Sequence, residues 1–420
     1  MTDVLDELRW RGLLADSTDE EALAEHLAAG PVSFYVGFDP TAPSIHFGNL
    51  VQLIVARHLQ AAGHKPYLLV GGSTGLIGDP KQTSERNLNP VDLVREWVEK
   101  IRAQVSRFVS FEGDNAAVVV NNYDWTSGLS TLDFLRDVGK HFSVNRMLAR
   151  DVVRTRLESG ISYTEFSYVL LQALDYRELF RRHGVTLQYG GSDQWGNLTA
   201  GVELIRRSEG ERVHALATPL LTKADGTKFG KTEGGTVWLD PTMTSPYAFH
   251  QFFLGAEDSM VGTYLRVFSP RSREEIEELE RQTAESPHLR AAQRALADDA
   301  TDLVHSVAER KAAVAAAEAL FGKGELKELP ATTLDAVAAE VGGGTIDTLE
   351  GATVAQAMVA GGVVASLSAA RRAVAEGGAY LNNTRVTDAD APLTSADLLP
   401  GGHLIVRRGR RTVGAVSVAP

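Results

Sequence analysis

The 420 residues include no cysteine. That absence removes disulfides, thiolate nucleophiles and Cys-ligated zinc. It also fits a reducing compartment, so a cytoplasmic location is expected. No run of about 18 apolar residues occurs, so nothing is expected to span a membrane. The opening MTDVLDELRWRGLL carries acidic residues and no long apolar core, unlike a signal peptide. Basic residues are the minority, 42 Lys and Arg against 54 Asp and Glu, for a formal net charge of −12. Taken over the whole chain, this argues against a surface that holds nucleic acid. What is present is ordinary for a globular protein: 44% apolar and 23% charged residues, which excludes a disordered or fibrous chain. The length suits two to four domains of roughly 100–200 residues each.

Residues 1–30 read as an amphipathic helix pair. Five apolar runs rich in β-formers follow: VSFYVGFDP (32–40), KPYLLVGG (65–72), AAVVVNNYD (116–124), VTLQYGG (185–191) and RVHALATPLL (212–221). Helical stretches lie between them, the first from Phe47 to Ala62. Near-continuous apolar strands alternating with helices predict an α/β fold with a doubly wound, parallel, Rossmann-like sheet. Such sheets take ligands beyond the carboxyl ends of their strands, so the residues after each strand are where chemistry is sought. Residues 125–184 are too long for a simple crossover and predict a helical insertion within a first domain, 1–232. Residues 233–324 predict a loop exit and a charged α-helical domain. Residues 325–350, with three successive glycines, read as a linker, and 351–420 as a small separate α+β unit, helices first.

Four junctions stand out. In GFDPTAPSIHFGNL (37–50), His46 and Gly48 sit at the mouth of a helix, where free N–H groups and the dipole attract phosphate; a plain tight turn with a surface histidine is the alternative. GGSTGLIGDP (71–80) has four glycines in eight residues and ends in Asp79, suited to a ribose or an ammonium group. It lacks the glycine spacing of a dinucleotide fingerprint and alone is equally a glycine-rich turn. In QYGGSDQWGN (188–197), Asp193 and Gln194 follow two glycines, and Ser192 or Asp193 also suits an N-cap. In LLTKADGTKFGKTEGG (220–235), Lys223, Lys228 and Lys231 lie on a glycine-rich loop able to neutralise a triphosphate, or simply to be solvated. In SYTEFSYVLLQALDYRELF (162–180), Tyr168, Gln172 and Asp175 share one helix face, which suits a pocket with a few placed polar groups or a helix edge facing water.

Together, HFGN after the first strand and KFGKT after the fifth resemble the HIGH and KMSKS signatures of class I aminoacyl-tRNA synthetases. YVGFDPTAPSIHFGNL, VGGSTGLIGDP, FSYVLLQALDY and QYGGSDQWGN are similar to the bacterial tyrosyl-tRNA synthetases in particular. SLSAARRAVAEGGAYLNNTRV (366–386) resembles the small RNA-binding fold first named from ribosomal protein S-four. Phe47 and Asn49 depart from HIGH, and Phe229, Gly230 and Thr232 from KMSKS; His46, Gly48, Lys228 and Lys231 are kept.

The resemblance implies tyrosine activation by ATP, with Mg2+ accompanying the nucleotide, then transfer to tRNA(Tyr). It implies that His46 and Asn49 bind ATP, that Thr41 reaches the γ-phosphate, and that Lys228 and Lys231 with Thr232 close over pyrophosphate. Gly37 and Asp39 would flank the adenylate beside Gly48, Gln194 and Phe229, and Asp193 would hold the ribose, with Gly191 allowing close approach. Tyr168, Gln172, Asp79 and Thr74 would hold the substrate ammonium, Gln188 would lie near its carboxylate, and Tyr35 and Asp175 would bind the phenol. No protein metal site is expected. A homodimer is implied, formed through the helical insert near Phe142 to Met147. The alternatives are a tryptophanyl-tRNA synthetase, a small-molecule nucleotidyltransferase and an RNA-binding paralogue without catalysis. Finally, residues 351–420 hold seven arginines (Arg371, Arg372, Arg385, Arg407, Arg408, Arg410, Arg411) against four acidic residues, +3 on a body of −15. The RNA-facing charge is therefore expected on the tail.

Overall fold

The computed structural model describes residues 3–80, 88–232, 235–321, 324–409 and 412–418. It divides into two compact units, Met1–Asp240 with Gly262–Glu277, and Pro241–Val261 with Glu278–Pro420.

The first unit is built on a six-stranded sheet: β1 (Asp16–Ser17), β2 (Ser33–Phe38), β3 (Lys65–Val70), β4 (Val118–Asn121), β5 (Val185–Gly191) and β6 (His214–Thr218). The order is β1-β6-β5-β2-β3-β4. Every neighbouring pair is parallel except β1 with β6. The five strands read from the sequence are β2 to β6. The short antiparallel edge strand β1 carries no apolar run and so gives no signal. Strand order reverses between β2 and β5, whose chains continue to opposite sides of the sheet; a crevice opens at such a switch point. β2, β3 and β6 are almost wholly buried, as expected for strands with helices on both faces.

Two helices aim the polar residues at that crevice. Phe47–Ala61 starts at its N-cap His46, whose side chain accepts from the Gly48 N–H, while the Asn49 side chain accepts from the His46 N–H. Tyr163–His183 begins at Ser162, which accepts from the Glu165 N–H, and stops at Gly184 in the left-handed conformation. Arg181, Arg182 and His183 fill its last turn, where cations complement the helix dipole. The insertion read at 125–184 is present as several short helices before this long one.

β7 (Lys231–Thr232) and β8 (Gly235–Thr236) pair with each other. The boundary expected after residue 232 is displaced: residues up to Asp240, and again Gly262–Glu277, belong to the first unit.

The second unit carries the helices Pro246–Leu254, Ala291–Val304, Val307–Leu320 and Ala331–Val341. It also carries a five-stranded sheet, β9 (Gly343–Ile346), β10 (Ala379–Leu381), β11 (Thr384–Arg385), β12 (His403–Arg408) and β13 (Thr412–Val418), in the order β11-β10-β12-β13-β9. The segment 325–350 is therefore not a linker. It holds a helix and an edge strand, β9, parallel to β13. The glycines there serve close packing: a Cβ on Gly343 would lie 1.7 Å from the Ala415 carbonyl oxygen, and one on Gly344 2.8 Å from that of Ala360. Nor is 351–420 separate. Leu399, Ile405 and Ala415 share a core with Leu334, Val337, Ala313 and Ala316.

Candidate active site

The crevice is organised by one continuous hydrogen-bonded chain of side chains. Tyr168 donates its hydroxyl to Asp39 Oδ2 at 2.6 Å, and Thr74 donates to Asp39 Oδ1 at 2.6 Å. Asn122 Nδ2 donates to Thr74 Oγ1 and to Asp175 Oδ2, each at 3.0 Å. Trp125 Nε1 closes the chain on Asp175 Oδ1 at 2.8 Å. Asp39, Thr74 and Asn122 each follow the carboxyl end of a strand, β2, β3 and β4, while Tyr168 and Asp175 descend from the Tyr163–His183 helix.

Asp175 is buried, 2% exposed. Burial pushes its carboxyl up to about 8 against the pull of its Asn122 and Trp125 hydrogen bonds. The Tyr35 hydroxyl is also buried and has no hydrogen-bond partner among the described residues. Burial raises its pKa well above the usual phenol value, and the charge of Asp175 adds to the shift. An unpaired buried hydroxyl costs roughly 1–3 kcal/mol.

At the mouth, Asp79 accepts from Gln194 Nε2 at 2.8 Å and Asn197 Nδ2 at 3.1 Å, and Asn197 also donates to Gln194 at 2.8 Å. Asp39 and Asp79 thus place two carboxylates near Tyr168, whose pKa burial raises first and both acids raise further. Gln172 lies half-buried one turn along the same helix.

The HFGN turn opens the Phe47–Ala61 helix. Because His46 Nδ1 accepts from Gly48 at 3.1 Å, the neutral ring carries its proton on Nε2, a donor. Asn49 spends its carbonyl oxygen on the His46 N–H at 3.1 Å, which leaves its amide N–H groups as donors. Gly37 and Gly48 are exposed, and Gly37 has only Leu69 at 3.7 Å beside a notional Cβ. Thr41 is exposed, as are Asp193 and Lys228. The Phe47 N–H donates to the Val237 carbonyl, and the Val237 N–H to that of Gly230. The HFGN turn and the KFGKT loop are thereby joined through residues 237–239. Lys231 and Thr232 contribute the β7 backbone.

Some expectations change. Glycines 71, 72 and 75 are required by the protein itself: a Cβ would lie 2.1 Å from Asp39 Oδ1, 2.3 Å from Asn121 Oδ1 and 2.6 Å from Pro40 respectively. Gly191 likewise makes room for the Asp193 carboxylate, 2.6 Å from a notional Cβ. Gln188 is not at the strand's carboxyl end. It pairs in register with Tyr35, and its Oε1 is buried without a partner among the described residues. Phe229 is packed into aromatic rings, stacked on Tyr264 with centroids 3.9 Å apart, because an apolar side chain in a lysine loop is driven inward. The sequence reading missed Asn122, Trp125 and Asn197. Asn122 and Trp125 follow β4 in NNYDW, at the one strand end from which no candidate was drawn.

On the second unit, Arg372, Arg385 and Arg408 are exposed. Arg371 is held by Asp390 at 2.8 Å, and Arg407 lies over the Tyr380 ring at 4.3 Å. Arg410 and Arg411 lie outside the described residues. Among the described residues, no helix is long and apolar enough to cross a membrane, and no group of three or more His, Asp or Glu side chains is placed to hold a metal.

The family model described as tRNA synthetases class I (W and Y) matches residues 27–322, and that of the tyrosine–tRNA ligase SYY-like C-terminal domain matches 335–414. The chain is 65% identical over 417 residues to a tyrosine–tRNA ligase of Cutibacterium acnes, covering 99% of this chain and 100% of that one. It is 60% identical to one of Streptomyces coelicolor, covering 100% and 99%. Among solved structures, a C-terminally truncated mitochondrial tyrosyl-tRNA synthetase of Coccidioides posadasii superposes with a TM-score of 0.66 at 31% identity, covering 74% of this chain and 91% of that one.

Proposed function

The chain belongs to the class I tRNA synthetases for tryptophan and tyrosine and within them is a tyrosine–tRNA ligase; from that premise we infer how its crevice divides the work. The observation that carries the reading is the buried Asp175 carboxyl beside the partnerless Tyr35 hydroxyl. A phenol donates to one and accepts from the other, so both are paired. Indole N–H only donates and would leave Tyr35 unpaired, and phenylalanine would leave the Tyr35 hydroxyl unpaired and give Asp175 nothing beyond its Asn122 and Trp125 bonds. Gln188, level with Tyr35, belongs to the same phenol end.

Tyr168 donates its hydroxyl hydrogen to the bond with Asp39, so its oxygen accepts from the substrate ammonium, with Gln172 and the Asp39 and Asp79 carboxylates alongside. Thr74 already donates to Asp39 and accepts from Asn122; it links the ammonium end to the phenol end. The tyrosine carboxylate then attacks the α-phosphate in line, and pyrophosphate leaves. The substrate supplies the nucleophile, so the protein's task is positioning and charge stabilisation. His46 Nε2, the Asn49 amide and Thr41 donate to ATP at the helix mouth, and Lys228 and Lys231 with Thr232 neutralise the departing pyrophosphate. Gly37 leaves space for the adenylate, with Asp193 on the ribose. Asp39 and Asp79 are engaged by protein donors, so magnesium arrives as the counter-ion of ATP, with phosphate and water oxygens as its ligands.

The second unit receives tRNA(Tyr) through Arg372, Arg385 and Arg408. A homodimer forms through the inserted layer, where Leu132, Leu135, Val144, Leu148, Leu157 and Tyr163 are all exposed; Met147 itself turns inward to the core. The protein works in the cytoplasm. Amino-acid-dependent ATP–pyrophosphate exchange, run over all twenty amino acids, tests the reading. Exchange with tyrosine alone is expected; exchange with tryptophan selects the sister enzyme, and none at all leaves an RNA-binding paralogue.

A further inference from the structure

The KFGKT loop is held by apolar contacts. Phe229 stacks on Tyr264, meets Phe47 edge-on at 4.9 Å and faces Phe268 at 6.2 Å. Phe47, inside the HFGN turn, packs on Phe268 at 4.7 Å. The Tyr264 hydroxyl donates to the Thr222 carbonyl at 2.9 Å, and Thr222 forms a backbone bridge with Lys228. Tyr264 and Phe268 are buried and lie on the Val261–Phe268 helix.

That helix ends on a guanidinium. Arg11, 4% exposed, donates from Nη1 to the carbonyls of Arg266 at 2.8 Å and Ser269 at 2.9 Å, and from Nη2 to that of Arg271 at 3.0 Å. The last carbonyls of a helix lack partners within it, and a cation there also complements its dipole. Glu7 fixes the Arg11 Nε at 2.7 Å and also accepts from Arg273, so the first helix of the chain is tied to the same place. The Trp10 ring lies beneath Arg11, Arg266 and Arg273 at 5.6, 5.4 and 5.1 Å.

We propose that Arg11 and Tyr264 are positioning residues for amino-acid activation: Arg11 fixes the end of the Val261–Phe268 helix, and Tyr264 transmits that position to the lysine loop through Phe229 and Thr222. The proposal rests on the reading of Lys228 as a ligand of the ATP phosphates. It places the control of loop geometry in the first dozen residues of the chain, more than two hundred positions before the loop. A residue that only holds the fold together affects both substrates; a residue that positions this loop affects the step at which the lysines act.

The test measures tyrosyl-adenylate formation by full-length protein in single turnover, together with equilibrium tyrosine binding without ATP. Tyr264→Leu is expected to slow adenylate formation at saturating ATP by about 10- to 100-fold, the range for a misplaced group remote from the chemistry, while the tyrosine Kd stays within about twofold. Arg11→Gln is expected to show the same split. The double variant should be no slower than Tyr264→Leu, because the two act in series. Should Tyr264→Leu not fold, Tyr264→Phe, which loses only the bond to Thr222, is expected to speed amide exchange over residues 221–230 and slow activation by a few-fold. Lys228→Ala run in parallel separates the two ideas. If Lys228→Ala leaves activation unchanged, the reading of the loop falls. If it slows activation while the Tyr264 and Arg11 variants do not, or while they weaken tyrosine binding equally, the positioning role is overturned.

Discussion

At the residue scale, specificity is a matter of pairing. In Tyr35→Phe the partnerless hydroxyl is gone, so kcat/KM for tyrosine is expected to fall about tenfold, the value of one hydrogen bond near 1.4 kcal/mol. The preference for tyrosine over phenylalanine should narrow by the same factor, which competitive exchange assays measure. Asp175 adds a pH signature. Its folded-state pKa, about 8, lies above the unfolded carboxylate value, so the folded protein binds the extra proton between the two. Stability is therefore lost as pH rises from about 4 toward 8. Asp175→Asn removes that dependence: its unfolding temperature in the free protein should gain on the parent's across this window, and parallel curves would contradict the assignment. Asp175 and Tyr35 were legible through the resemblance alone; the sequence offered only a polar stripe on a helix. Asn122 and Trp125 were not legible, because an Asn after a strand and a nearby Trp are common in turns and cores. Only the fold brings both to Asp175.

At the element scale, the strand–helix alternation could be read because β2 to β6 are rich in apolar residues, mostly buried in β2, β3, β5 and β6 and half-buried in β4. The edge strand β1 is too short and too polar to announce itself. β9 was misread because its glycines look like flexibility, when the Ala415 and Ala360 carbonyls leave no room for a side chain. Gly230 makes the same point in the lysine loop. Its φ is +85°, and a Cβ would sit 2.7 Å from that of Phe47. Gly230→Ala is expected to cost about 1 kcal/mol or more in stability and to weaken activation more than tyrosine binding. Thermal unfolding and single-turnover kinetics together check this; wild-type activation in a folded Gly230→Ala protein would contradict the close approach to Phe47.

At the scale of the whole molecule, the net charge of −12 misleads because it averages an acidic body with a tail of +3. Of the seven tail arginines, Arg371 is neutralised by Asp390 and Arg407 is committed to Tyr380, which leaves Arg372, Arg385 and Arg408 as the exposed ones described. Reversing these three to Glu is expected to weaken tRNA(Tyr) binding and lower its salt slope by about one for each phosphate no longer neutralised, while pyrophosphate exchange stays unchanged. Unimpaired aminoacylation would move the RNA surface elsewhere. The central claim, that a buried carboxylate in this crevice selects tyrosine, is tested most directly by kcat/KM in tyrosine-dependent ATP–pyrophosphate exchange for Asp175→Ala. Loss of the hydrogen bond to the substrate, with Asn122 and Trp125 left without their acceptor, should lower it by about 10- to 100-fold or more; an unchanged value would remove Asp175 from the pocket and with it the account of specificity.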